Sequence, residues 1–358
     1  MIFSACELGV FDLLLQSQKP LSAESVSQEL QSSMDGMERL LDALVGIEIL
    51  DVEITEGKAF YSNTDVANLY LAKGSPKSLF GMAIFNSDNT YLMWANLTSA
   101  VREGKNQYEK TFGLSAEELF EAVYRSEEEL VKFMGLMNSI WAIDGHDVVT
   151  AFDLSPFKTI VDIGGCTGAL ARELSRAYPD SSVIIFDLPQ VVQASKKNYS
   201  QPSDTFTFQE GLGVAFTWWL GSPHNPAGLS PKRQCRAVLW ACKTKAGGDF
   251  FSGEVPVADL YIVSRILHDW KEGKCVQLLQ KLYARCQPGG GVLIVEALLS
   301  ENRRGPVFAL HNSLNMLVHT EGKERPAPEY FKMLSTAGFK DLQVRRTGKS
   351  YDAVLGRK

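Results

Sequence analysis

Apolar positions recur at helical spacing through the first part of the chain. Short apolar runs separated by amphipathic segments then take over. Met37, Leu40, Leu41, Leu44 and Val45 fall three or four residues apart and predict a helix, and Ser22-Ala23-Glu24-Ser25 offers the start of an earlier one. Leu50-Asp51-Val52-Glu53-Ile54 and Ala59-Phe60-Tyr61-Ser62 alternate on either side of a Glu-Gly turn, which predicts two short strands. Helices followed by such a hairpin predict a winged-helix-like unit over residues 1–95. Helical patterns at 92–101, 117–124 and 127–142 make residues 96–150 a helical linker and lid.

From residue 151 the pattern alternates strand and helix, which implies a parallel sheet with right-handed crossovers. Strands are expected at Thr159–Ile163, Ser182–Asp187, 205–209, Ala258–Ser264 and 291–296. The end of the chain differs. Runs at 342–346 and 351–355 flank a Gly-Lys-Ser turn and predict an antiparallel hairpin closing that sheet. The third domain therefore runs 151–358, interrupted by an atypical insert at 212–248. That insert contains no Asp or Glu, several basic residues, and Trp218, Trp219 and Trp240. It reads either as a basic, aromatic-interleaved binding loop or as a segment with no selected fold; the second reading is favoured.

Composition narrows the function classes. At 358 residues the chain exceeds the usual single-core range, so more than one domain is expected. A net charge of −6 argues against nucleic acid as the main partner. The winged-helix-like unit sharpens this, because residues 1–75 hold 4 basic and 12 acidic side chains, the wrong sign for phosphate. No apolar run approaches about 18 residues, so no membrane span is expected. The opening residues lack the basic n-region of a secretory signal. The six cysteines show no Cys-x-x-Cys pair and no ligand spacing with His, which suits reduced cytoplasmic thiols and predicts no metal.

The first candidate chemistry is Val161-Asp162-Ile163-Gly164-Gly165-Cys166-Thr167-Gly168, between a strand and a helix. Gly164 and Gly165 let backbone approach a ligand closely, and the following helix turns its N–H groups toward it. A dinucleotide fingerprint would need glycine where Cys166 stands. Asp162 also suits a cationic ligand better than a pyrophosphate, so the loop reads as a holder of S-adenosylmethionine. Asp187 ends the next strand, about 25 residues on, where a doubly wound fold places an acid on ribose hydroxyls. The fold class expected is thus α/β: a Rossmann-like, S-adenosylmethionine-dependent methyltransferase sheet plus an N-terminal winged-helix-like unit. A nicotinamide dehydrogenase is the rival, disfavoured by the missing glycine and the final hairpin.

The second is Ile266-Leu267-His268-Asp269-Trp270, just past a strand, at the carboxyl edge where open α/β sheets keep their ligands. Methyl transfer to a phenolic hydroxyl needs a base beside it, and an ordinary imidazole, with a pKa of ~6.5, is mostly neutral at pH 7. His268 is that candidate. A base needs a partner on its other ring nitrogen. Glu296 ends the next apolar strand, and Glu324 lies in a loop before a helix.

These blocks, with Ala5-Cys6-Glu7-Leu8-Gly9-Val10-Phe11-Asp12, Phe186-Asp187-Leu188-Pro189, Gly248-Asp249-Phe250-Phe251, Pro288-Gly289-Gly290-Gly291 and Ser313-Leu314-Asn315-Met316-Leu317, resemble the small-molecule O-methyltransferase family. The resemblance covers essentially the whole chain outside the insert. It implies a cytoplasmic homodimer acting on a hydroxyindole: methyl transfer from S-adenosylmethionine to the ring hydroxyl of N-acetylserotonin, giving melatonin. By the same resemblance His268 is the base with Glu296 and Glu324 as partners. Asp187 holds the ribose, Asp249 and Phe250, with Phe251 beside them, the adenine, and Arg265 the cofactor. Tyr124 and Trp141 match cofactor-contacting positions, and Asp269 and Asn315 substrate-binding ones. Three departures stand out. The family has a further helical segment before Ala5, the insert separates Gly211 from Asp249, and His319 replaces a common Gln at the substrate. The alternative expectation is a catalytically silent member whose cofactor pocket the insert disrupts.

Overall fold

The computed structural model describes residues 1–114, 123–211 and 253–358. It divides into two compact units, Met1–Gly145 and His146–Lys358. The insert at 212–248, most of the helix expected at 117–124, and Asp249, Phe250 and Phe251 lie outside the described residues.

Serine caps start two helices of the first unit. The Ser22 hydroxyl accepts from the Ser25 N–H at 3.2 Å and starts Ala23–Glu29, and Ser33 does the same for Met34–Gly46, accepting from Gly36 at 3.3 Å. Met37, Leu41 and Leu44, at the expected spacing, are buried against Val10, Phe11, Leu14 and Val26. The wing is β1 (Leu50–Thr55) paired antiparallel with β2 (Lys58–Asn63). Its turn residues Glu56 and Gly57 both have positive φ (52° and 78°), the mirror-image two-residue turn that matches strand twist. Tyr61 of β2 is buried, and its hydroxyl donates to Asp42 at 2.7 Å, tying the wing to the helix before it. The helix expected at 92–101 is two, Tyr91–Trp94 and Leu97–Glu103. Asn96 breaks it by adopting a non-helical cap conformation, a role asparagine favours over helix interiors. Conversely, the helix expected to stop at 142 runs over Glu127–Val149.

The second unit is built on a seven-stranded sheet of order β5-β4-β3-β6-β7-β9-β8. Its strands are β3 (Thr159–Ile163), β4 (Ser182–Asp187), β5 (Thr207–Glu210), β6 (Ala258–Ser264), β7 (Cys286–Glu296), β8 (Lys340–Arg345) and β9 (Asp352–Arg357). The first five pair in parallel, while β9 is antiparallel to both β7 and β8. β3 and β6 are buried on both faces along almost their whole length and are mostly apolar, as strands covered on both sides must be. β7 begins earlier than expected, because Pro288-Gly289-Gly290 reads as a turn but continues the strand. A Cβ on Gly290 would collide with the Asp259 carbonyl oxygen and come within 2.8 Å of the Cys286 sulfur, so only glycine permits this approach. The chain leaves β3 toward β4 on one side and later returns to β6 on the other. That reversal opens a crevice at the carboxyl ends of β3 and β6. Among the described residues no helix is long and apolar enough to cross a membrane.

Candidate active site

The loop after β3 is held at several points. Gly164 and Gly168 take φ of 67° and 78°, and the Gly164 N–H donates to the Phe186 carbonyl at 2.9 Å. A Cβ on Gly165 would stand 2.6 Å from an Asp162 carboxyl oxygen. Cys166, also left-handed at φ 50°, is clamped on both sides: its N–H donates to Asp187 Oδ2 at 2.9 Å, and its carbonyl accepts from the Ser195 hydroxyl at 2.6 Å. Asp187 Oδ1 takes the Leu188 N–H at 2.7 Å. Burial pushes the Asp187 carboxyl up to about 6. Asp162 is fully buried, and neither of its oxygens has a hydrogen-bond partner. Burial, and then the neighbouring Asp187 charge, push it up to about 8. A buried carboxyl without a donor, beside a loop whose glycines have no room for a Cβ, fits a ligand that brings its own positive charge.

The second cluster forms at the ends of β6 and β7. Past Ser264, Arg265 takes a left-handed φ of 55°, and its N–H donates to the Val295 carbonyl at 2.9 Å. The chain then makes a single tight turn, Leu267–Asp269. One oxygen of the buried Glu296 carboxylate accepts the N–H groups of Ile266, Leu267 and His268 at 3.2, 2.9 and 3.3 Å. This carboxylate therefore shapes the turn. Its other oxygen lies 3.4 Å from His268 Nδ1, whereas Glu324 Oε1 lies 2.6 Å from the same nitrogen. Glu324 is the carboxylate hydrogen-bonded to this nitrogen. Burial pushes both carboxyls up to about 7. His268 Nε2 lies 3.7 Å from Asp269, whose carboxyl burial raises to about 6.

Residues the sequence did not single out complete this cluster. Arg325, buried, donates to the Leu267 carbonyl at 2.9 Å and the Trp270 carbonyl at 2.6 Å, and so holds the carbonyls of the turn whose N–H groups Glu296 takes. Gly322 lets the loop carrying Glu324 lie directly on the turn; a Cβ there would collide with the His268 carbonyl and stand 2.6 Å from the Trp270 nitrogen. The Asn312 amide donates to Glu324 Oε1. Arg265 donates to the Tyr351 hydroxyl and lies 5.2 Å above that ring. Asn312 did leave a signal, since it is a polar residue in the inward row Ala309, Asn312, Met316 and His319 of the helix Val307–His319. On that helix His319 Nδ1 lies 3.0 Å from the Asn315 carbonyl, and burial drives its imidazole down to about 4.

The structure thus brings His268, Glu296, Glu324, Asp269 and Arg265 into one cluster, and Asp162, Gly164, Gly165 and Asp187 into another. Tyr124, packed edge-on against Phe133, and the buried Trp141 belong to the first unit. Donor atoms of His268, Glu296 and Glu324 all fall within 4.8 Å. The 2.6 Å contact between Nδ1 and Glu324 is nevertheless a hydrogen-bond distance. Two ligands on a tetrahedral ion with ~2.0 Å bonds would stand about 3.3 Å apart.

Family models match most of this chain. One described as an O-methyltransferase domain covers residues 94–214 and 239–340, and one described as an O-methyltransferase dimerisation domain covers residues 1–73. The break in the first falls inside the insert at 212–248. Acetylserotonin O-methyltransferase of Gallus gallus is 52% identical over 358 residues, covering 100% of this chain and 93% of that protein. The Homo sapiens enzyme is 44% identical over 359 residues with the same coverage. The crystal structure of human N-acetylserotonin methyltransferase in complex with SAM superposes with a TM-score of 0.88, covering 100% of this chain and 92% of that one.

Proposed function

We propose, from the premise that this chain belongs to the O-methyltransferase family, that it transfers a methyl group from S-adenosylmethionine to the ring hydroxyl of N-acetylserotonin, giving melatonin. The observation that carries the reading is the buried imidazole of His268, held by Glu324 at 2.6 Å at the carboxyl edge of the sheet. No observation among the described residues favours a silent protein, because the base and both its carboxylates are present and in contact. A dehydrogenase is not supported by the family match.

The bound cofactor supplies a methyl group already activated by its sulfonium charge. Gly164, Gly165 and Asp187 would hold its nucleoside, Asp162 its positive charge, and Arg265 would flank it. Asp249, Phe250, Phe251, Tyr124 and Trp141 belong to the same assignment by resemblance. On the acceptor side, Nδ1 of His268 is taken by Glu324, so Nε2 faces the hydroxyl as a proton acceptor. As the oxygen attacks, its proton passes to Nε2, and the Glu324 carboxylate stabilises the imidazolium that forms. Asp269, Asn315 and His319 would position the hydroxyindole. Because burial keeps His319 neutral at pH 7, it would meet the acceptor's amide as a hydrogen-bonding group and not as a cation. Alignment of two bound reactants supplies much of the remaining acceleration.

The same reading assigns residues 1–95 to dimerisation, 96–150 to the lid and 151–358 to cofactor binding and chemistry, in a cytoplasmic homodimer. The match of residues 1–73 to a dimerisation domain supports the dimer. Cys6, Cys166, Cys275 and Cys286 are free thiols, which suits a reducing compartment. The decisive test is His268→Ala. Turnover should fall about 10²–10⁴-fold, while S-adenosylmethionine affinity by calorimetry stays within a few-fold. Near-normal turnover would remove His268 from the role of base.

A further inference from the structure

We infer that Asn312 is a positioning residue of the transfer reaction, its side-chain amide holding Glu324 in the charged form and orientation that His268 needs. The inference rests on the reading of His268 as base. The Asn312 amide donates to Glu324 Oε1, the same oxygen that lies 2.6 Å from His268 Nδ1. Asn312 is itself buried, in a helix row otherwise filled by Ala309, Met316 and His319. A buried amide in such a row is unfavourable unless its hydrogen bonds are made. It donates best to a carboxylate and, unlike the groups around it, cannot titrate.

Those groups pull in both directions. Glu324 faces His268, Asp269 and Arg265 from the turn after β6, Glu296 from the end of β7, and Arg325 and Tyr330 from its own side. Burial raises the Glu324 carboxyl to about 7, opposed by Arg265, the Asn312 bond and Arg325. Near neutrality a single neutral donor therefore tips its charge. A protonated Glu324 no longer offers His268 a full negative charge to balance the imidazolium.

Asn312→Leu keeps the branched skeleton of the side chain and removes the donor. The acid limb of its kcat–pH profile should move up by about one pH unit. Turnover at pH 7 should fall about fivefold and recover toward wild type at pH 9, with cofactor affinity unchanged. Asn312→Asp places a second carboxyl that shares a proton with Glu324 and so restores a donor. It should exceed Asn312→Leu at pH 7; as the pH rises and the shared proton leaves, repulsion between the two carboxylates should push Glu324 off His268 Nδ1 and lower activity, the opposite slope. An unmoved acid limb in Asn312→Leu, or an equal loss at every pH, would overturn the inference in favour of a packing role. If Asn312→Leu does not fold, the slope of Asn312→Asp decides alone, and a wild-type profile there overturns it. His268→Ala separates the two readings: turnover retained there sinks the base, whereas turnover lost there with an unmoved Asn312→Leu profile sinks only the role of Asn312.

Discussion

Asp162 shows what a single side chain costs when the fold buries it without a donor. Its carboxyl lies at about 8 in the folded chain, against roughly 3.9 for a free aspartate. The folded state thus binds this proton more tightly than the unfolded one. Its contribution to stability is full below about pH 4 and is lost progressively as the pH climbs through about 8. Asp162→Asn should therefore melt roughly 2–6 °C above wild type at pH 8, without ligand, and close to it at pH 5. The same variant should bind S-adenosylmethionine more weakly, a pairing that thermal melts and calorimetry would show together. An unchanged melting temperature at pH 8 would mean that the carboxyl finds a donor after all. At this scale the meeting of His268 and Glu296 was legible, because a histidine just past one apolar strand and an acid ending the next must share one sheet edge, whereas Glu324, in a loop before a helix, was reached through the family resemblance. Gly322 and Arg325 were not. Their partners lie more than fifty residues away on the turn after β6, and nothing local marks a glycine whose only demand is a close approach.

Among elements, the turn after β6 is formed less by its own sequence than by what grips it. Glu296 takes three of its N–H groups, Arg325 two of its carbonyls, and Gly322 lets the loop lie flat upon it. Gly322→Ala would push that loop away and carry Glu324 off His268. A displacement near 1 Å should cost about a hundredfold in kcat. Cofactor affinity should hold within a few-fold, since the loop after β3 is untouched. Stopped-flow turnover with parallel calorimetry checks both; equal losses in each would place the damage in folding instead. Strand positions were legible where apolar runs were long, as in β3, β4 and β6. They were less so for β5, whose start moved two residues, and for β7, whose glycines serve close strand contact and not a turn.

For the whole molecule, the alternation of strand and helix after residue 151 foretold the parallel sheet, and the final hairpin its antiparallel end. The wing foretold a helical first unit, and its acidic charge steered the reading away from DNA. Association between copies is a different matter, because no periodicity distinguishes an apolar face that meets a partner from one that meets the same chain. Sedimentation should give about twice 39.6 kDa at micromolar concentration. A truncation removing residues 1–73 should lose that dimer. A monomeric full-length chain with normal turnover would argue against dimerisation as a condition for activity.

The place of β9, between β7 and β8, has a consequence for synthesis. A growing chain completes β7 at Glu296, but the strand that pairs with its far edge begins only at Asp352. At ~5–20 residues per second, the ribosome takes roughly 3–11 s to bridge that interval. Throughout it a run of Val292, Leu293, Ile294 and Val295 presents an unpaired edge, the kind that recruits strands from other chains. The nascent protein is thus most exposed to misassembly after Glu296, the carboxylate that shapes the turn after β6, has been made, and chaperones that bind extended apolar segments would meet it in that window.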